Sequence, residues 1–103
     1  MTINTEINAN KAKLVLDSRL DTTTAPLLEA EVNGLPAEIT EIVIDMEKVA
    51  YVSSAGLRVL LATQKVMNKK GSLILIGVCE EVMDVFEMTG FADILTIEQS
   101  ETQ

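Results

Sequence analysis

The sequence predicts an α/β fold: a mixed, mostly parallel sheet covered by helices, in the order β-β-α-β-α-β-α-β. Three observations predict it. Short aliphatic runs alternate along the chain with longer segments of helical period. Two of those runs, Ile42-Val43-Ile44 and Leu73-Ile74-Leu75-Ile76, are continuously apolar, as parallel strands covered on both faces require. The first two runs are separated only by a short polar turn, which suits an antiparallel hairpin and makes the sheet mixed.

Taken in order, Ile3 and Ile7 alternate with Asn4 and Glu6, the pattern of a half-buried edge strand. Asn8 to Asn10 is a polar turn. Lys11 to Leu16 alternates again, with Ala12, Leu14 and Leu16 inward and Lys11 and Lys13 outward. Asp21-Thr22-Thr23-Thr24 supplies helix-capping oxygens, and Pro26 falls in a first turn, where its missing N–H costs nothing. The helix that follows is expected to end at Asn33-Gly34, with Pro36 preventing continuation. A strand is expected within Ile39 to Met46. Ser53 or Ser54 then starts a helix to about Lys70, with Gly71 as its stop. After the Leu73–Ile76 strand, Glu80 and Glu81 open a shorter helix, where their charge suits the positive end of the dipole. It carries Val82, Val85, Phe86 and Met88 and ends near Gly90. Ile94 to Ile97 reads as a last short strand, and the polar tail beyond it is expected to fray.

With 103 residues and no visible linker or repeat, one domain spanning 1–103 is expected. The chain is 48% hydrophobic but only 3% aromatic, so its core must be aliphatic. A net charge of -8 argues against nucleic acid, whose phosphates would be repelled, and against docking on anionic lipid. There is no histidine, which removes Ser-His-Asp and Cys-His catalysis and histidine-based metal sites. Cys79 is the only cysteine, so no intramolecular disulfide can form, which fits a cytoplasmic location. No basic segment followed by a long apolar run opens the chain, so no secretory leader is expected, and no apolar run approaches a membrane span. No cofactor is expected.

The most informative segment is Ser53-Ser54-Ala55-Gly56-Leu57, at the junction of a strand pattern and the long helix. At 100° per residue, Leu57, Val59, Leu60, Thr63, Val66 and Met67 fall on an arc expected to face the sheet. Ser54, Arg58, Leu61, Ala62, Lys65 and Lys69 fall on the opposite arc. An apolar Leu61 among polar neighbours is how a partner footprint would look, and also how scattered surface apolarity would look. Ser54 can be read as a helix cap or as a hydroxyl offered for modification. A phosphate there would add about -1.5 to -2 charges, which a helix N-terminus tolerates and a docked partner would not.

These residues resemble the STAS domain family, especially bacterial anti-sigma factor antagonists, over essentially the whole chain. The matching stretches are Ser18-Arg19-Leu20-Asp21 with Thr24-Ala25-Pro26, Ile42 to Met46, Val52 to Leu57, and Phe86-Glu87-Met88-Thr89-Gly90-Phe91. Aligned on Gly56-Leu57, the family's phosphorylated serine falls on Ser54. Ser53 replaces the usual aspartate and becomes a rival acceptor, and Ala55 replaces a hydroxyl residue. The resemblance implies a non-enzyme that binds an anti-sigma factor, itself an ATP-using serine kinase, and so releases a sigma factor. Phosphorylation ends that binding and a serine phosphatase resets it. The implied contact residues are Asp21, Ser53, Gly56, Arg58 and Leu61, with Asp21 equally readable as a helix cap. Other STAS roles are a docking subunit of a lipid-transport ABC system or of a stress-signalling assembly, without a phosphorylation cycle. A receiver domain is disfavoured, because Asp45 lacks the acidic pair and late lysine that receivers need. An enzyme is disfavoured too, because Glu80-Glu81 and Asp17/Asp21 have no aligned nucleophile.

Overall fold

The computed structural model describes residues 1–98. Strands β1 (Ile3–Asn8) and β2 (Lys11–Leu16) form the expected hairpin, paired antiparallel from Ile3↔Leu16 to Asn8↔Lys11. Helix α1 (Ala25–Asn33), strand β3 (Glu41–Asp45), helix α2 (Ser54–Lys70), strand β4 (Ser72–Ile76), helix α3 (Glu80–Thr89) and strand β5 (Thr96–Glu98) complete the order read from the sequence. The sheet runs β1-β2-β3-β4-β5, and every pair after the hairpin is parallel. Each crossover therefore moves one strand in the same direction. With right-handed connections this puts all three helices on one face.

The packing agrees. Leu28 of α1, Leu60 and Met67 of α2, and Val82 and Phe86 of α3 share one core with Leu14, Leu16, Ile42, Ile44, Leu73 and Leu75. Burying one such side chain stabilises the fold by roughly 1.5–3 kcal/mol. Val43 and Ile76 are also buried, at 1% and 5% exposure, but lie outside that core on the other face of the sheet. In register, Val43 is flanked by Lys13 and Ile74. The burial expected for β3 on both faces is present, although helices supply only one side of it.

Three local expectations are corrected. The segment after Gly90 first closes a 3-10 turn, Phe91–Asp93, in which the Phe91 carbonyl accepts from the N–H groups of Ile94 and Leu95. That turn delays β5 to Thr96 and leaves Ile94 half exposed. On α2, Val66 is 55% exposed, whereas Gln64 is 5% exposed. The buried arc is thus rotated toward Gln64, because α1 packs along one flank of α2 and leaves an open groove beside Val66. Met88, counted among the apolar residues that α3 carries, is 82% exposed, two residues past the core position Phe86. The polar tail lies outside the described residues, apart from Glu98.

Gly71, the expected stop of α2, is needed for a steric reason. A Cβ there would collide with the carbonyl of Thr40, and the Ser72 N–H donates to that same carbonyl at 2.9 Å. The chain leaving α2 is thereby pressed against the start of β3.

Candidate functional site

Two strand-to-helix loops meet at one end of the sheet. A parallel bridge joins Leu20, in the β2–α1 loop, to Val52, in the β3–α2 loop. The Leu20 N–H donates to Tyr51 O, and the Ser53 N–H donates to Leu20 O, both at 2.9 Å. These bonds set Asp21 alongside Ser53 and the start of α2. Leu20 and Val52 are buried, so the bridge is pinned from below by the core.

In the first loop Asp21 is saturated. Its Oδ1 accepts from the Thr23 hydroxyl (2.8 Å), the Thr23 N–H (3.0 Å) and the Thr24 N–H (3.1 Å). Its Oδ2 pairs with Arg19 Nε at 3.2 Å. The Thr24 hydroxyl accepts from the Asp21 N–H and donates to the Arg19 carbonyl. Asp21 and Thr24 thus cap each other reciprocally across three residues. The Thr23 hydroxyl is the main cause holding the Asp21 carboxyl below its ordinary pKa. Burial opposes the shift, and the N–H groups of Thr24 and Thr23 reinforce it. Asp21 closes the turn that leads into α1, three residues ahead of the N-cap Thr24, whose own side chain makes no capping bond. Its partners Arg19, Thr23 and Thr24 were not singled out as site residues, although Asp-x-Thr-Thr before a helix is a capping signal.

In the second loop the two serines divide the work. Ser53 is the N-cap of α2: its backbone is extended and its hydroxyl accepts from the Gly56 N–H at 3.4 Å. Ser54 is the first helical residue, so it is not the cap. Its side chain is exposed and makes no hydrogen bond among the described residues. Arg58, one turn later, is also exposed.

Gly56, expected as a contact residue, is buried. A Cβ there would come within 2.8 Å of the Leu20 carbonyl oxygen and 2.9 Å of Leu20 Cγ. Its role is to let α2 approach the first loop. Leu61 is partly buried rather than standing free on the outer arc. Tyr51, half exposed beside Val52, joins the same rim. A lone aromatic between two elements has no periodicity by which the sequence could have flagged it.

The shallow groove between α1 and α2 is lined by Thr22, Pro26, Ala55, Arg58 and Ala62, among others, and not by Ser54. Among the described residues no group of acidic or cysteine side chains could hold a metal, and no helix is long and apolar enough to cross a membrane. The arrangement leaves an exposed hydroxyl and an exposed guanidinium one turn apart on α2.

Comparison with known proteins now decides the family. The STAS domain family model matches residues 2–103. This chain belongs to the STAS family. It is 31% identical over 100 residues to the anti-sigma-B factor antagonist of Bacillus subtilis, covering 94% of this chain and 92% of that one. In structure it is similar to an anti-sigma factor antagonist from Mycobacterium paratuberculosis, with a TM-score of 0.85 at 22% identity, over 97% of this chain and 86% of the other. It is also similar to the Bacillus cell fate determinant SpoIIAA in its phosphorylated form. There the TM-score is 0.74 at 17% identity, over 97% of this chain and 94% of the other. Those two likenesses establish the STAS fold for this chain.

Proposed function

We propose that this protein is an anti-sigma factor antagonist controlled by partner switching in the cytoplasm. Unmodified, it binds an anti-sigma factor that is also an ATP-using serine kinase, and so frees a sigma factor. The kinase then phosphorylates Ser54, the complex separates, and a serine phosphatase restores the hydroxyl. The observation that carries this reading is the division between the serines: Ser53 caps the helix, and Ser54 keeps an exposed, unbonded hydroxyl on the first turn. The identity to the Bacillus subtilis antagonist supports the partner class.

The chemistry suits that surface. Ser54 Oγ forms the new bond to the γ-phosphorus of ATP. The bond from that phosphorus to its bridging oxygen breaks, ADP leaves, and the hydroxyl proton passes to a base of the kinase. This chain supplies the acceptor and no catalytic group. The product carries about -1.5 to -2 charges near neutral pH. The first N–H groups of a helix have no intrahelical partners and favour an anion, so α2 remains folded. A partner seated over Ser54 would have to desolvate that charge, and it leaves.

The test is incubation with ATP and an anti-sigma factor kinase from the same organism, followed by intact mass and site mapping. One phosphate on Ser54 is expected, absent in Ser54→Ala and retained in Ser53→Ala. Phosphate on Ser53 would overturn the residue assignment. Stable binding to the partner with no phosphate transferred by a demonstrably active kinase would favour a docking role without a cycle.

A further inference from the structure

Taking Ser54 as the modified residue, as proposed above, we infer that Arg58 is the internal counter-ion of its phosphate. Residues four apart on a helix lie on one stripe, with Cβ atoms about 5–6 Å apart. Helical side chains lean toward the N-terminus, so Arg58 reaches back over the first turn, where Ser54 sits. An anion one turn N-terminal to a cation is also the favourable order for such a pair.

The neighbouring charges leave Arg58 available. Arg19, across the bridge between the loops, is already paired with Asp21. Arg58 makes no ion pair or hydrogen bond among the described residues. Glu29 of α1 lines the same shallow groove but forms no ion pair with it. From Val49 to Cys79 the chain carries Arg58, Lys65, Lys69 and Lys70 and no carboxylate, although the protein as a whole has charge -8. No acidic residue on α2 competes for the guanidinium. Lys65 is eleven residues from Ser54, roughly 16 Å along the axis, beyond a Debye length at physiological salt.

A guanidinium can donate two parallel N–H···O bonds to a phosphate. Once it does, Arg58 is withdrawn from any partner. The first turns of α2 change from a free hydroxyl beside a free cation to a closed pair of net negative charge. Modification then both adds an anion and removes the only cation in the N-terminal half of α2. This makes Arg58 a positioning residue for the switch, with the fold of α2 unaltered.

The experiment needs no kinase. Phosphoserine is placed at position 54 during synthesis, and the second phosphate pKa is read by phosphorus-31 NMR titration. The wild-type value is expected about half a unit below that of Arg58→Ala, as for unit charges ~6 Å apart near water's dielectric. Arg58→Lys should recover part of the shift, and Lys65→Ala should leave the value unchanged. Equal values in wild type and Arg58→Ala would overturn the inference, as would an equal effect from Lys65→Ala. A kinase that fails to modify Ser54 would sink the phosphorylation cycle while leaving this titration to decide the ion pair separately.

Discussion

Helices α1 and α2 begin alike and use their polar groups in opposite ways. Each follows a strand-to-helix loop rich in capping residues, and the two loops are bonded to each other through Leu20 and its neighbours. At α1, Asp21 accepts three short hydrogen bonds and an ion pair. At α2, a single long bond from Gly56 to Ser53 does the capping, and Ser54 is left unbonded. A polar side chain saturated by its own loop is structural, because any other use must first break those bonds. One left free at the same rim is available for chemistry at no cost to the fold.

The largest expected effect attacks the contact that holds the two loops together. Gly56→Ala should cost about 1–3 kcal/mol by urea denaturation, the range for overpacking a filled site, because its methyl group meets the Leu20 backbone. An unchanged midpoint would mean that the loops are not tightly joined, and the comparison would lose its basis.

Asp21→Asn comes next and sharpens the comparison through pH. The folded carboxyl titrates below its ordinary value, so its contribution to stability is present above the unfolded pKa, about 3.9. It is lost as pH falls through the lower, folded pKa. Urea midpoints measured from pH 6 down to pH 3 should fall less steeply in Asp21→Asn than in wild type. Parallel curves would show that Asp21 is not the saturated partner described above.

The smallest effects separate the two serines. Ser53→Ala should cost about 0.5–1 kcal/mol, the low end for an N-cap, given its 3.4 Å bond. Ser54→Ala should stay within about 0.5 kcal/mol of wild type, as an exposed substitution that removes no bond. Thermal melts of both variants test the pair. A reversed order would move the cap to Ser54 and take away its claim to be free.

Much of this was legible in the chain. The continuous run at Ile42-Val43-Ile44, the alternation of Lys11 to Leu16 and the proline in the first turn of α1 each specify an element locally, and all three were placed correctly. The site was legible by residue type but not by role. A helical wheel cannot know that α1 leans on one flank of α2, so it turned Val66 inward and left Gln64 out. It also could not separate a cap from a first-turn residue, because Ser53 and Ser54 differ by one position in the same junction. The packing of Gly56 is not legible either, because its neighbour Leu20 is distant in sequence.

The sequence by itself determined the order of elements, the aliphatic core, the absence of histidine chemistry and the family motif around Ser54. The first three follow from periodicity and composition, which act along the chain over a few residues; the motif is carried by the resemblance to the STAS family. Only the tertiary structure decided which serine is occupied and which is free, why Gly56 must lack a side chain, and that Asp21 is satisfied by its own loop. The first and last are set by hydrogen bonds that only the folded loops display, and the demand on Gly56 depends on Leu20, more than thirty residues away, held there by close packing that no local pattern encodes.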